Sequence, residues 1–255
     1  MIILKNFFYL INNLFFPAIR IFFVLYTTHF FRNYLSLHLK VLLSFLFGFF
    51  VFSYYPISNF SISSLVGLII FIEQIFIGII IGLSINLIFS ITNFIGEILG
   101  LQTGLSFFNF FDSTNRTNFP ILTRFLNIFF IFIFLLIDGH LWIIYIVIKS
   151  FEIIPISLKS FNMHVFFFIV QIFGLIFISG LKIIFPFILV LFFINLTLCF
   201  LNKFLPQLSI FSIGFPTTAI MTILLLYFLI YYSISYLKIY FDKMFLLIIE
   251  IISKI

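Results

Sequence analysis

Asp138 and His140 flank Gly139 in the middle of an apolar run. A carboxylate and an imidazole this close could bind a metal ion or pass a proton. Neither chemistry is complete, because no second cluster with ligand spacing accompanies them. Glu97 interrupts another apolar run and Lys182 a third. Ionisable side chains at membrane depth are costly and face an interior or a water-filled cavity. Glu97 could relay protons, or it could pair with Arg124, which a hairpin would bring near. The paired state is the preferred reading. Lys182 is read first as a structural or snorkelling cation, and Asp138-Gly139-His140 as a turn. The sequence holds no H-E-x-x-H, Walker A, G-x-G-x-x-G or nucleophile-elbow motif. No catalytic residue, metal site or cofactor is expected, and the chain is not expected to be an enzyme.

The elements that carry these residues are membrane helices. Of 255 residues, 64% are hydrophobic and 8% charged, with a mean hydropathy of +1.37. A soluble domain needs more polar surface than that. The abundance of Phe, 46 residues, is read as codon bias, so aromatics as a class are not taken for a site. Lys plus Arg outnumber Asp plus Glu by 13 to 7, which fits the cationic excess that orients spans. The cations are not clustered, so no nucleic-acid partner is expected. Cys199 is alone and is expected to be a small buried hydrophobe. No small-residue cleavage site follows Lys5, so the first span is expected to be uncleaved.

Apolar runs lie near Leu14–Phe31, Val41–Tyr55, Leu65–Ile95, Ile121–Ile148, Val165–Leu201 and Leu208–Leu237. The runs at 65–95 and 165–201 exceed one straight crossing, so each is one tilted helix or two shorter ones. Six to seven helices are predicted, in one membrane domain, 1–255. Polar turns separate them, among them 106–120 and Asn202–Pro216. Cations fall on consecutive connections, which a simple alternating topology cannot place on one side.

Between residues 78 and 104, Gly78, Gly82, Asn86, Ser90, Asn93, Glu97, Gly100 and Gly104 recur every three or four positions. That spacing sets them on one helical face. Three G-x-x-x-G pairs lie within it, and small residues let backbones approach closely in a membrane. The face either packs against other helices or borders a water-filled path. The segment GLSFFNFFDSTNRTNFP after it is a long loop of rings and polar groups. It is either a plug or a surface connection.

The middle of the chain resembles the FliR family. Gly96-Glu97-Ile98-Leu99-Gly100-Leu101-Gln102-Thr103-Gly104-Leu105-Ser106 is similar to that family's GE-x-x-G-x-Q-x-G-x-S/A stretch. Pro120 to Asn127 resembles its P-x-L-x-x-F/L-x-N segment, and Asp138-Gly139-His140 its Asn/Asp-Gly-His triplet. Gly180-Leu181-Lys182 to Pro186, with Asn195, resembles a later segment, and Pro206-Gln207 with Gly214-Phe215-Pro216 another. The N-terminal third agrees only through Arg20 and Lys40.

The resemblance implies an all-α membrane protein whose helices form hairpins in a multi-subunit helical assembly. It implies a core subunit of the flagellar type III export gate, lining and plugging the channel for unfolded flagellar proteins. FliP, FliQ and FlhB are the implied partners beside membrane lipid. The bacterial inner membrane, at the flagellar basal body, is the implied place. Phe107, Phe108, Phe110, Phe111 and Asp112 become plug residues under it. Gly78, Gly82, Asn86, Asn93, Glu97, Gly100 and Gly104 form the packing or lumen face. Gln102, Arg124, Asn127, Asp138, His140, Lys182 and Asn195 are the polar groups within the membrane. The competing reading is a polytopic small-molecule or ion transporter working through Glu97, Lys182 or Asp138.

Overall fold

The computed structural model describes residues 2–28, 31, 35–55, 64–104, 121–156, 164–204 and 210–254. Within them the chain forms helices α1 (Ile2–Thr27), α2 (Leu37–Tyr54), α3 (Leu65–Gln102) and α4 (Ile121–Leu136). Helices α5 (Gly139–Ile153), α6 (His164–Phe204) and α7 (Ile210–Lys254) follow. No strand occurs among the described residues. The protein is an all-α membrane protein, as a chain this apolar must be, because an unpaired backbone has no water to bond in lipid. Three helical stretches, Leu37–Tyr54, Leu65–Gln102 and Val170–Leu201, are long and apolar enough to cross a bilayer, and two broken helix pairs raise the number to five.

Local chemistry sets several ends. Ser64 precedes α3, and its hydroxyl accepts from Gly67 N at 3.0 Å, a serine N-cap. At the other end of α3, Gly104 takes φ 75° and donates its N–H to Leu101 O at 3.2 Å. A glycine in the left-handed region is a common helix stop. Gly104 therefore ends the helix instead of continuing the face that holds Gly100. Asp138, at φ 56°, turns the chain between α4 and α5; of the expected Asp138-Gly139-His140 turn only Asp138 lies in it, since Gly139 and His140 begin α5.

Both over-long apolar runs are single helices. The 41-residue α6 continues through Pro186. Helix α7 begins at Ile210 and includes Pro216, which the sequence reading placed in a turn. Proline is tolerated inside membrane helices where neighbouring groups satisfy the freed carbonyl.

The contacts gather into two compact units. The first holds Met1–Ile88, His140–Phe173 and Lys243–Ile255; the second holds Phe89–Gly139 and Gly174–Asp242. In the first, Gly48 lets α2 approach α1, since a Cβ there would stand 3.2 Å from Ala18. Trp142 stacks on Phe245 with centroids 5.3 Å apart. In the second, Phe241 joins Phe130 and Phe134 at 5.4 and 5.7 Å. Offset and tilted ring pairs at these separations are favourable.

Candidate helix-packing and polar sites

In the first unit, α3 lies against α1 along its glycines. A Cβ on Gly78 would be 2.7 Å from Arg20 O and 2.9 Å from Phe23 Cβ. A Cβ on Gly82 would overlap the Thr27 hydroxyl and come within 3.2 Å of Val24 O. One turn on, Asn86 Nδ2 donates to Thr27 O. The small residues thus allow backbone contact, and an amide holds its register.

That approach positions a buried cation. Arg20 is fully buried, with 0% exposure. Its Nε donates to Gln74 Oε1 at 2.7 Å. Its Nη1 donates to Ser150 O at 2.9 Å and to Ser150 Oγ at 3.3 Å, and its Nη2 to Ile154 O at 2.9 Å. The guanidinium also lies 4.1 Å from the centroid of the Phe151 ring. No carboxylate reaches it among the described residues. Its charge faces the carbonyl end of α5, where the helix dipole is negative; Ser150 O also takes the Ile154 N–H at 3.0 Å, and Ile154 O lies just past the helix. Arg20 therefore caps α5 from another helix, using the planar fork that lysine lacks. Lys40 of α2 is also buried, with its ammonium 5.8 Å from the Tyr26 ring centroid.

In the second unit, Asn127 of α4 joins α3. Its Nδ2 donates to Asn93 Oδ1 at 2.9 Å, and its Oδ1 accepts from the Thr92 hydroxyl. Gly96 permits the approach, as a Cβ there would be 2.6 Å from Thr123 Cα. Gly180 of α6 receives the Phe94 ring in the same way, as a Cβ there would be 2.6 Å from it. Asn195 Nδ2 donates weakly to Gln102 O at 3.5 Å.

The sequence-predicted residues thus divide. Gly78, Gly82 and Asn86 meet α1; Asn93 and Asn127 meet each other; Gln102 and Asn195 meet through a backbone carbonyl. Gly100 is buried. Glu97, Arg124, Asp138 and Lys182 are exposed. His140 Nδ1 is buried without a hydrogen-bond partner among the described residues, and no metal-holding group of three ligands occurs among them. Cys199, expected to be buried, is exposed, because its apolar run covers more surface than this chain's own core uses. Phe107, Phe108, Phe110, Phe111 and Asp112 lie outside the described residues.

The Arg20 cluster is the site that sequence reasoning missed. Its signal was available: Arg20 is the only charged residue between Leu14 and Thr27, and Gln74 sits in an otherwise apolar stretch beside Glu73. A cation and an amide in two apolar runs call for a shared partner.

These features define a multi-helix membrane protein built for close helix packing. Residues 11–244 match the family described as bacterial export proteins, family 1. The chain is 38% identical over 230 residues to the flagellar biosynthetic protein FliR of Buchnera aphidicola subsp. Acyrthosiphon pisum, covering 90% of this chain and 89% of that one. It is 38% identical over 250 residues to FliR of Pectobacterium carotovorum, covering 96% and 94%. It is 36% identical over 200 residues to FliR of Escherichia coli, covering 78% and 77%. The chain belongs to the FliR family of bacterial export proteins.

Proposed function

We propose that this protein is a core subunit of the flagellar type III export gate, and that it lines and plugs the channel through which unfolded flagellar proteins cross the inner membrane. The observation that carries the reading is the family match, which spans both packing units, from residue 11 to residue 244. The surface fits a subunit that is covered by others. Phe49, Phe50, Phe132, Phe192 and Phe193 are among many large exposed apolar side chains, and exposed apolar area on this scale needs lipid or protein against it. The exposed Glu97 and Arg124 are too costly to face lipid tails, so they belong on a subunit contact or a wet lumen.

In this reading FliP and FliQ are the assembly partners and FlhB a neighbour. The chain acts as one functional domain with no catalytic step of its own. The ring-rich Phe107, Phe108, Phe110 and Phe111, with Asp112, close the channel at rest, because packed rings leave ions no polar path. The test is co-expression of the tagged chain with FliP and FliQ, followed by native mass measurement. A stable complex of all three is the expected result, with ion leakage after deletion of residues 107–111. Assembly of FliP and FliQ without this chain overturns the proposal.

A further inference from the structure

The two helices that flank residues 105–120 are fastened to each other close to where they meet that segment. The contacts fall within about the last three turns of α3 and about the first two turns of α4. Asn127 of α4 accepts from the Thr92 hydroxyl and donates to Asn93 at 2.9 Å. One turn nearer the segment, Gly96 admits Thr123, since a Cβ on Gly96 would be 2.6 Å from Thr123 Cα and 2.5 Å from its hydroxyl. Contacts that run forward along α3 and backward along α4 are those of an antiparallel hairpin. The seam therefore holds both ends of one connection, and holding a segment's ends together removes many of its conformations.

Two features make this a fastening that can be undone. Asn93 and Asn127 are half-buried, and Glu97 and Arg124, about one turn along each helix towards the segment, are exposed. An amide pair in such a place gives little net energy, because water can replace either partner. Beside it, the Thr123 hydroxyl has no hydrogen-bond partner among the described residues, although the residue is fully buried. A buried hydroxyl left unpaired opposes the closed seam, since parting the helices hydrates it.

We propose that this seam is a latch: Thr92, Asn93 and Asn127 hold the stems of residues 105–120 together at rest, and the orphaned Thr123 hydroxyl sets how easily they part. All four are positioning residues, acting on the channel only through the segment between the stems. The inference rests on the reading that residues 107–111 close the channel, and adds what keeps them in place. In cells co-expressing the chain with FliP and FliQ, a voltage-sensitive dye reads ion leakage and native mass reads assembly. Asn127→Leu assembles and raises the leak roughly fivefold, the weight of one interhelical hydrogen bond. Asn93→Ala, which removes the other partner without adding bulk, does the same. Thr123→Val added to Asn127→Leu deletes the orphaned hydroxyl and lowers the leak again by roughly fivefold. Phe241→Leu, which takes a ring from the packing of the same unit outside the seam, assembles and stays at the wild-type level. A leak in Phe241→Leu equal to that of Asn127→Leu, or no change on adding Thr123→Val, overturns the proposal. Deletion of residues 107–111 is measured alongside. If it leaks while assembled Asn127→Leu and Asn93→Ala stay tight, the plug reading stands and the latch is wrong. If the deletion stays tight, the plug reading fails and the latch falls with it.

Discussion

The two packing units solve the same problem with different chemistry. The first is locked by a charge. Arg20 ties α1 to Gln74 of α3 and to the end of α5, and the glycines at 78 and 82 make that reach possible. Among its described residues the second has no buried cation. It uses the neutral Asn93–Asn127 pair and the rings of Phe130, Phe134 and Phe241. A buried charge concentrates the energy of packing in one residue, because losing a partner strands the other groups without water. A neutral amide and a ring cluster spread it, and each loss is smaller. The first unit therefore has a single point of failure, and the second degrades by steps.

Arg20→Met is the largest test of that contrast. It leaves Gln74 Oε1 and Ile154 O without the guanidinium donor, while Ser150 O keeps the Ile154 N–H, and is expected to cost about 4 kcal/mol, from two buried acceptors at about 1–3 kcal/mol each. Thermal unfolding in detergent reads the loss. Arg20→Lys recovers little of it, since an ammonium cannot span three acceptors in a fork. A full rescue by lysine would mean that charge alone, not geometry, locks the unit.

Gly82→Leu ranks next, at about 3 kcal/mol, the upper part of the overpacking range. The added side chain enters the space of Thr27. Thr27→Ala combined with the milder Gly82→Ala sharpens the point, because relief in the double variant locates the clash in that pair. Additive losses in a double-mutant cycle would place the strain elsewhere.

Asn127→Leu is the smallest, at about 1 kcal/mol, in line with interhelical hydrogen bonds in membranes. Measured by the same unfolding assay, a loss as large as that of Arg20→Met would erase the distinction between the units.

Much of this architecture was readable from residue order. Hydropathy alone located the runs that became α2, α3 and α6, since a helix is the one open-ended structure that satisfies its own backbone in lipid. The glycine spacing offered close approach at Gly78 and Gly82 as one of two readings, because the distance between helices depends on what lies at every fourth position. Residue order could not say which helix those glycines would meet. In a chain so uniformly apolar, most faces look alike. Gly104 shows a second limit: its spacing continues the helical pattern, yet its lack of a Cβ serves a left-handed stop. Glu97 and Arg124 show a third. Nearness along a hairpin suggested a pair in the interior, and both side chains lie on the surface. The Arg20 cluster was hidden because its acceptors are mostly backbone carbonyls, which every residue carries.

The reach of Arg20 also has a consequence in time. Its farthest acceptor, Ile154 O, lies 134 residues along the chain. At about 5–20 residues per second, synthesis of that stretch takes roughly 7–27 s. Through that interval the guanidinium has emerged and α5 does not yet exist. A nascent chain must hold this charge in water or at the translocon until the last turn of α5 arrives. A chain interrupted before Ile154 carries an uncapped cation in its first helix, a chemical mark by which quality control can tell an unfinished copy from a finished one.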